Sequence, residues 1–146
     1  MYSLIYVSSA TSRPSQAQLV DLLSQCHRNN TQNEVTGLLL YNGLGTFIQV
    51  LEGEQRYVEA IFEKIKQDKR HRRIIKLSGK EITERDFPNW KMGFRNIDSL
   101  PEKTLKGFST FMKPEADKTT QFMQDNQGMA MEMLKHFKST AEELVF

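Results

Sequence analysis

Val35-Thr36-Gly37-Leu38-Leu39-Leu40-Tyr41 runs into Asn42-Gly43-Leu44-Gly45 and then into Thr46-Phe47-Ile48-Gln49-Val50-Leu51-Glu52. Two aliphatic and β-branched runs around a segment of one asparagine and two glycines read as a β-hairpin, because those residues tolerate the turn backbone. Alternation along the second run puts Phe47, Gln49 and Leu51 on one face and Ile48 and Val50 on the other. Both faces of that strand are apolar, so both need cover.

Upstream, Tyr2 to Ser9 alternates Leu4 and Tyr6 against Ile5 and Val7, which predicts another strand. Ser15 with Gln18 forms a capping box for a helix whose stripe is Leu19, Leu22, Leu23 and Cys26, ending near Asn29-Asn30. Downstream, Gly53 ends the hairpin, and Val58, Ile61, Phe62 and Ile65 recur at helical spacing. A strand lies within Ile74 to Ile82, and Phe87-Pro88-Asn89 turns the chain into a last short strand, Trp90 to Arg95. The order β-α-β-β-α-β with one extra strand predicts an α+β, ferredoxin-like sheet for residues 1–97.

Residues 98–146 predict two helices. The first has a capping box at Ser99 and Glu102 and a face of Leu105, Phe108, Phe111 and Met112, with Lys113-Pro114 as the break. The second carries Phe122, Met123, Met129, Ala130, Met133, Leu134 and Phe137. Since two helices cannot cover both faces of a sheet, this tail is expected to pack on the second face or to form subunit contacts.

Composition narrows the function. With 146 residues the chain is one ordinary domain, and 20 Lys+Arg against 18 Asp+Glu leave a net charge of only +2. That balance opposes both disorder and nucleic-acid binding by bulk charge. A single cysteine excludes an intramolecular disulfide, and His27, His71 and His136 lack the spacing of a zinc site. No apolar run reaches the length of a membrane span, and the N-terminus is unlike a signal peptide, so a cytoplasmic location is expected. Neither a nucleophile elbow nor a phosphate-cradling loop is present, and Cys26 in an apolar stripe reads as a structural thiol, so side-chain catalysis is not expected.

Two features call for explanation. Lys64, Lys66, Lys69, Arg70, Arg72 and Arg73 form a basic run, read either as a solvated helix C-terminus or as a local phosphate site beside His71. A nucleic-acid-binding module using residues 64–73 is the alternative function, weakened because no aromatics interleave with the charges. Gln49 is an amide inside an apolar strand, and a buried amide without partners costs about 1–3 kcal/mol. Tyr6 is a candidate partner from another strand, and Asn30 adds a third polar group near that face.

Leu4-Ile5-Tyr6-Val7-Ser8, Arg28-Asn29-Asn30, Val35 to Tyr41, Phe47 to Glu54, Asp68-Lys69-Arg70-His71 and Phe87 to Met92, in this order, resemble the BLUF family, blue-light sensors using FAD. The resemblance covers about residues 1–95; the hairpin turn is one residue longer than the family's usual one. It implies a flavin, FAD with FMN or riboflavin as alternatives, held between the two helices on the Tyr6/Gln49 face. Tyr6 and Gln49 would match the photoactive pair, Asn30 the residue bonding the ring's carbonyl edge, and Leu22 and Ile65 the aliphatic sandwich. Arg28, Lys64, Asp68 and His71 would contact the ribityl and phosphate end or support it, and Trp90 and Met92 would relay the signal, Met92 also contacting the flavin site. The implied activity is light sensing without catalysis, with signalling through the C-terminal helices to an unidentified protein partner, in a homo-oligomer.

Overall fold

The computed structural model describes residues 1–43, 45–96 and 127–138. The expected capping box at Ser99, the Lys113-Pro114 break, and Phe122 and Met123 lie outside these residues. The elements in order are β1 (Tyr2–Ala10), α1 (Gln16–Gln32), β2 (Thr36–Tyr41), β3 (Thr46–Gly53), α2 (Gln55–Gln67), β4 (His71–Glu81), β5 (Gly93–Asn96) and α3 (Gln127–Lys138).

The strands form one sheet in the order β4-β1-β3-β2-β5. β1 and β2 sit on either side of β3, antiparallel to it, and β4 pairs antiparallel with β1. β5 adds a parallel edge beside β2. This is the split β-α-β arrangement that the sequence order predicts, with the hairpin at its centre. Register then fixes the middle of the sheet: Tyr6 of β1 and Leu39 of β2 both lie opposite Gln49.

α1 starts as its sequence dictates. The Ser15 side chain accepts from the Gln18 amide at 3.2 Å and Gln18 Oε1 accepts from the Ser15 amide at 2.8 Å, so two otherwise orphaned donors are satisfied. α1 and α2 lie on the same face of the sheet, where Leu19, Leu23, Val58, Ile61 and Phe62 pack with Tyr2, Leu4, Tyr6, Leu39, Tyr41, Phe47 and Leu51. On the opposite face Ala130, Met133, Leu134 and Phe137 of α3 meet Ile5, Val7, Leu38, Leu40, Ile48, Val50, Leu77 and Phe87. All four α3 side chains are buried, each larger one worth about 1.5–3 kcal/mol of transfer free energy.

Two expectations need correction. The last strand begins at Gly93 rather than Trp90, because pairing with β2 starts at Leu38 opposite Gly93. Trp90 and Met92 therefore belong to the approach to β5 and do not alternate as strand residues; the Trp90 ring lies against the Cα of Gly93, where an added Cβ would stand 2.7 Å away from it. The basic run is also not one helix end: α2 stops at Gln67, and Arg72 and Arg73 are in β4.

Buried charge ties the segment before β5 to the sheet. Glu52 of β3 is fully buried, and its carboxylate accepts from the amides of Asp86 at 2.9 Å and Phe87 at 2.6 Å. Arg85 donates to Thr36 Oγ1 and to the carbonyls of Glu52 and Glu34, each at 2.8 Å. α3 joins the same knot, since Lys138 Nζ donates to the Asp86 carbonyl and Lys135 pairs with its carboxylate at 3.6 Å.

Candidate functional site

A cleft of about 530 Å³, partly open to solvent, lies between α1 and α2 above the centre of the sheet. α1 contributes Leu22, Gln25, Cys26, Asn29 and Asn30, a set spaced at three, four, seven and eight residues that forms one helical face. α2 contributes Ile61, Lys64 and Ile65, Asp68 follows at its C-cap, and Tyr6, Leu39 and Gln49 form the floor. Arg70 and His71 close one end.

The floor is a buried polar chain. The Tyr6 hydroxyl donates to Gln49 Oε1, and Gln49 Nε2 donates to Met92 Sδ at 3.2 Å. Tyr6, Gln49 and Met92 are each nearly inaccessible to solvent. Burial pushes the Tyr6 phenol well above its ordinary pKa, with smaller contributions from Cys26 and Asp68, so the hydroxyl stays protonated and keeps its donor role. Burial likewise pushes the Cys26 thiol up to about 11. Cys26 is therefore a neutral cleft-wall group, without the thiolate that a nucleophile requires.

Asn30 is held by a bond from its Nδ2 to the Lys91 carbonyl, while its Oδ1 is buried without a partner. An unpaired buried carbonyl beside a cleft is unusual, and a ligand N–H is the group that would satisfy it. The far end is charged. Arg70 Nε lies 3.0 Å from both Asp68 oxygens, and its Nη2 lies 2.6 Å from Asp68 Oδ2 and from Gln25 Oε1. Those bonds lower the Asp68 pKa, so the carboxylate is fixed as an anion. Burial lowers the His71 pKa, and its Nδ1 is 3.1 Å from Ser8 Oγ.

A flavin would find in this cleft an apolar slot, an orphaned acceptor and a central amide; the residues fit the group. The family model for sensors of blue-light using FAD matches residues 1–93. The chain belongs to the BLUF family. The "Blue light- and temperature-regulated antirepressor BluF" of Escherichia coli K12 is 31% identical over 97% of the chain, and the match spans 36% of that relative. The "Photoactivated adenylate cyclase subunit beta" of Euglena longa is 38% identical over 73% of the chain and 12% of the relative. The chain thus spans about a third or less of these curated relatives. The BlsA ground-state structure superimposes with a TM-score of 0.74 at 28% identity, covering 99% of this chain and 91% of that one.

Within this BLUF fold the cleft brings together Tyr6, Leu22, Asn30, Gln49, Lys64, Ile65, Asp68 and His71 of the expected site. Met92 stands behind Gln49, bonded to its amide. Arg28 is exposed and outside the lining, because it falls on a different side of α1 from Leu22, Cys26 and Asn29. Trp90 is half-buried and makes its backbone contact through its carbonyl, 3.2 Å from the Gly37 amide. Gln25, Asn29, Leu39, Ile61 and Arg70 also line the cleft, beyond the expected site. Ile61 and Leu39 were legible as core positions, and the spacing of Asn29 from Leu22 was a usable signal. Nothing local marks Gln25, whose place depends on Arg70 arriving from 45 residues away.

Proposed function

We propose that this BLUF protein senses blue light through the chain Tyr6–Gln49–Met92, with the flavin ring seated in the α1/α2 cleft. The observation that carries this reading is that both ends of one buried amide are engaged, Oε1 by a phenol donor and Nε2 by a sulfur acceptor. A bound, photoexcited flavin supplies a strong electron acceptor beside the tyrosine. Tyr6 can give up an electron and its hydroxyl proton together, and Gln49 Oε1 is the atom positioned to take that proton. Rotation or tautomerisation of Gln49 then exchanges its donor and acceptor edges, which no carboxylate or hydrophobic residue of that size could do. Asn30 and the Leu22/Ile65 walls hold the ring, while Lys64, Asp68 and His71 serve its polar end. Arg28 is assigned no contact.

The output is a change of contact rather than a reaction. Any change in the Gln49 amide acts on Met92, and the segment from Asp86 to Met92 is bonded at its other end to Glu52 and to Lys138 of α3. Signalling then passes through β5 and α3 to a second copy or an unidentified protein partner in the cytoplasm. Among the described residues no helix is long and apolar enough to cross a membrane.

The test is absorption of Gln49→Leu before and after blue light. We expect retained flavin and no red shift; a full, reversible red shift in that variant would sink the amide switch.

A further inference from the structure

Arg72 and Arg73 of the basic run meet Arg13 at the end of the sheet. A cavity of about 600 Å³, much of it open to solvent, is lined there by Arg13, Arg72 and Arg73 with Ser9, Thr11 and Ser12. Ala10, Thr11 and Ser12 also line an adjoining cavity of about 580 Å³, which in turn shares Leu22, Arg70 and His71 with the α1/α2 cleft. Three neighbouring cavities that share wall residues thus lie in a row from Gln49 and Asn30, past His71, to the three arginines.

The backbone is arranged to bring two of those groups to one place. Consecutive residues of a strand point to opposite faces, so Arg72 and Arg73 in a regular β4 would diverge. Between Val7 opposite Ile75 and Ser9 opposite Arg72, however, β4 has one residue more than β1, a β-bulge. Arg73 occupies it at φ 51°, a left-handed conformation that is uncommon outside glycine and asparagine. With the bulge, both residues line the same cavity. Among the described residues none of the three arginines is in an ion pair, whereas Arg70 is committed to Asp68. Three unpaired guanidinium groups with neighbouring hydroxyls suit the oxygens of a phosphate or diphosphate.

We propose that Arg13, Arg72 and Arg73 seat the phosphate chain of the bound flavin nucleotide. The proposal rests on the ring occupying the α1/α2 cleft. It assigns the protein a preference among flavins: FAD and FMN over riboflavin, which carries no phosphate. The three arginines are exposed, so each contact is modest, and neutralising two of them should weaken nucleotide binding roughly tenfold.

The experiment titrates the flavin-free 146-residue chain with FAD, FMN and riboflavin, following quenching of flavin fluorescence, in wild type, R13Q and R72Q/R73Q. We expect riboflavin to bind more weakly than FAD or FMN to wild type, and less tight nucleotide binding at higher salt. R72Q/R73Q should lose about tenfold in FAD and FMN affinity and R13Q about threefold, with riboflavin within twofold of wild type in both. R13Q lies outside the strands and serves if the double variant folds poorly. Equal affinity of wild type for all three flavins overturns the phosphate seat while leaving the ring site intact, as does a parallel loss of riboflavin in the variants. Failure of every flavin to bind wild type overturns both readings.

Discussion

Glu52→Ala should be among the most destabilising single changes available in this protein, although the residue touches no cleft atom. Its carboxylate is the acceptor for the amides of Asp86 and Phe87. The Phe87 side chain is fully buried and its amide bond to Glu52 is a buried one, so truncation leaves a donor that water cannot reach, costing about 1–3 kcal/mol. The Asp86 amide is only part-buried and can recover some solvation, so it adds about 1 kcal/mol. Loss of the buried side-chain stem adds about 1 kcal/mol more. The sum is roughly 3–5 kcal/mol, a large part of the stability of an ordinary domain. Glu52→Gln keeps one acceptor oxygen but points an amide NH₂ at one of the two N–H donors, so about 1–2 kcal/mol is expected. Urea unfolding followed by far-ultraviolet circular dichroism, at fixed saturating flavin because bound ligand itself stabilises, measures both. The expected order is wild type, then Gln, then Ala. A Glu52→Ala midpoint equivalent to less than about 0.5 kcal/mol from wild type would refute the argument that this carboxylate holds the segment leading to Met92.

Met92→Leu conserves volume, so flavin affinity should stay within about twofold, but it removes the sulfur that accepts from Gln49 Nε2. Because that bond favours the present orientation of the amide, recovery after illumination should slow by several-fold in time-resolved absorption; unchanged recovery would remove Met92 from the switch. Stability should also depend on pH through two groups of opposite sign. His71 has its folded pKa lowered by burial, so the unfolded chain binds the proton more readily and stability falls as pH drops below about 6.5. Glu52 has its folded pKa raised by burial, so the folded chain takes up the proton first and stability rises as pH falls toward about 4.5. Unfolding free energies of His71→Gln and Glu52→Gln between pH 7 and pH 4.5 separate the two: the first should lose the acid-side decline, the second the acid-side gain.

The sequence was legible where its signal is local or periodic. The capping box at Ser15 and Gln18, the hairpin around Asn42 and the alternation through β3 are each dictated by neighbours within a few residues, and each is present. Gln49 was legible for the opposite reason, as the residue that breaks an apolar pattern. The need for cover on the second face followed from Ile48 and Val50, which pack in the same cluster as α3. What escaped depends on distant partners. Glu52 next to Gly53 looks like a solvated strand end, and only the chain arriving at Asp86 and Phe87, 34 and 35 residues on, makes it a buried acceptor. The spacing of two between Trp90 and Met92 suits a strand, while the actual start of β5 is set by where β2 offers pairing at Leu38. The bulge at Arg73 has no sequence signature, since arginine is not a residue that favours a left-handed backbone.

The placement of Glu52 and Gln49 on one strand gives the fold its mechanical sense. Gln49 faces α1 and α2 and holds the Met92 end of the segment, while Glu52 three residues later holds the Asp86–Phe87 end. The two attachments differ in kind. A carboxylate bonded to two backbone amides is strong and directional, whereas an amide-to-sulfur bond is weak, and methionine adapts its shape at little cost. The Asp86 end, where α3 is also tied through Lys135 and Lys138, is therefore the fixed point, and the Met92 end is the one that a change at Gln49 can move. A rearrangement of the Gln49 amide is thus felt at the start of β5 before it is felt at the bonds to α3. For that reason Met92→Leu is expected to alter recovery with little loss of stability, while Glu52→Ala is expected to lower stability first.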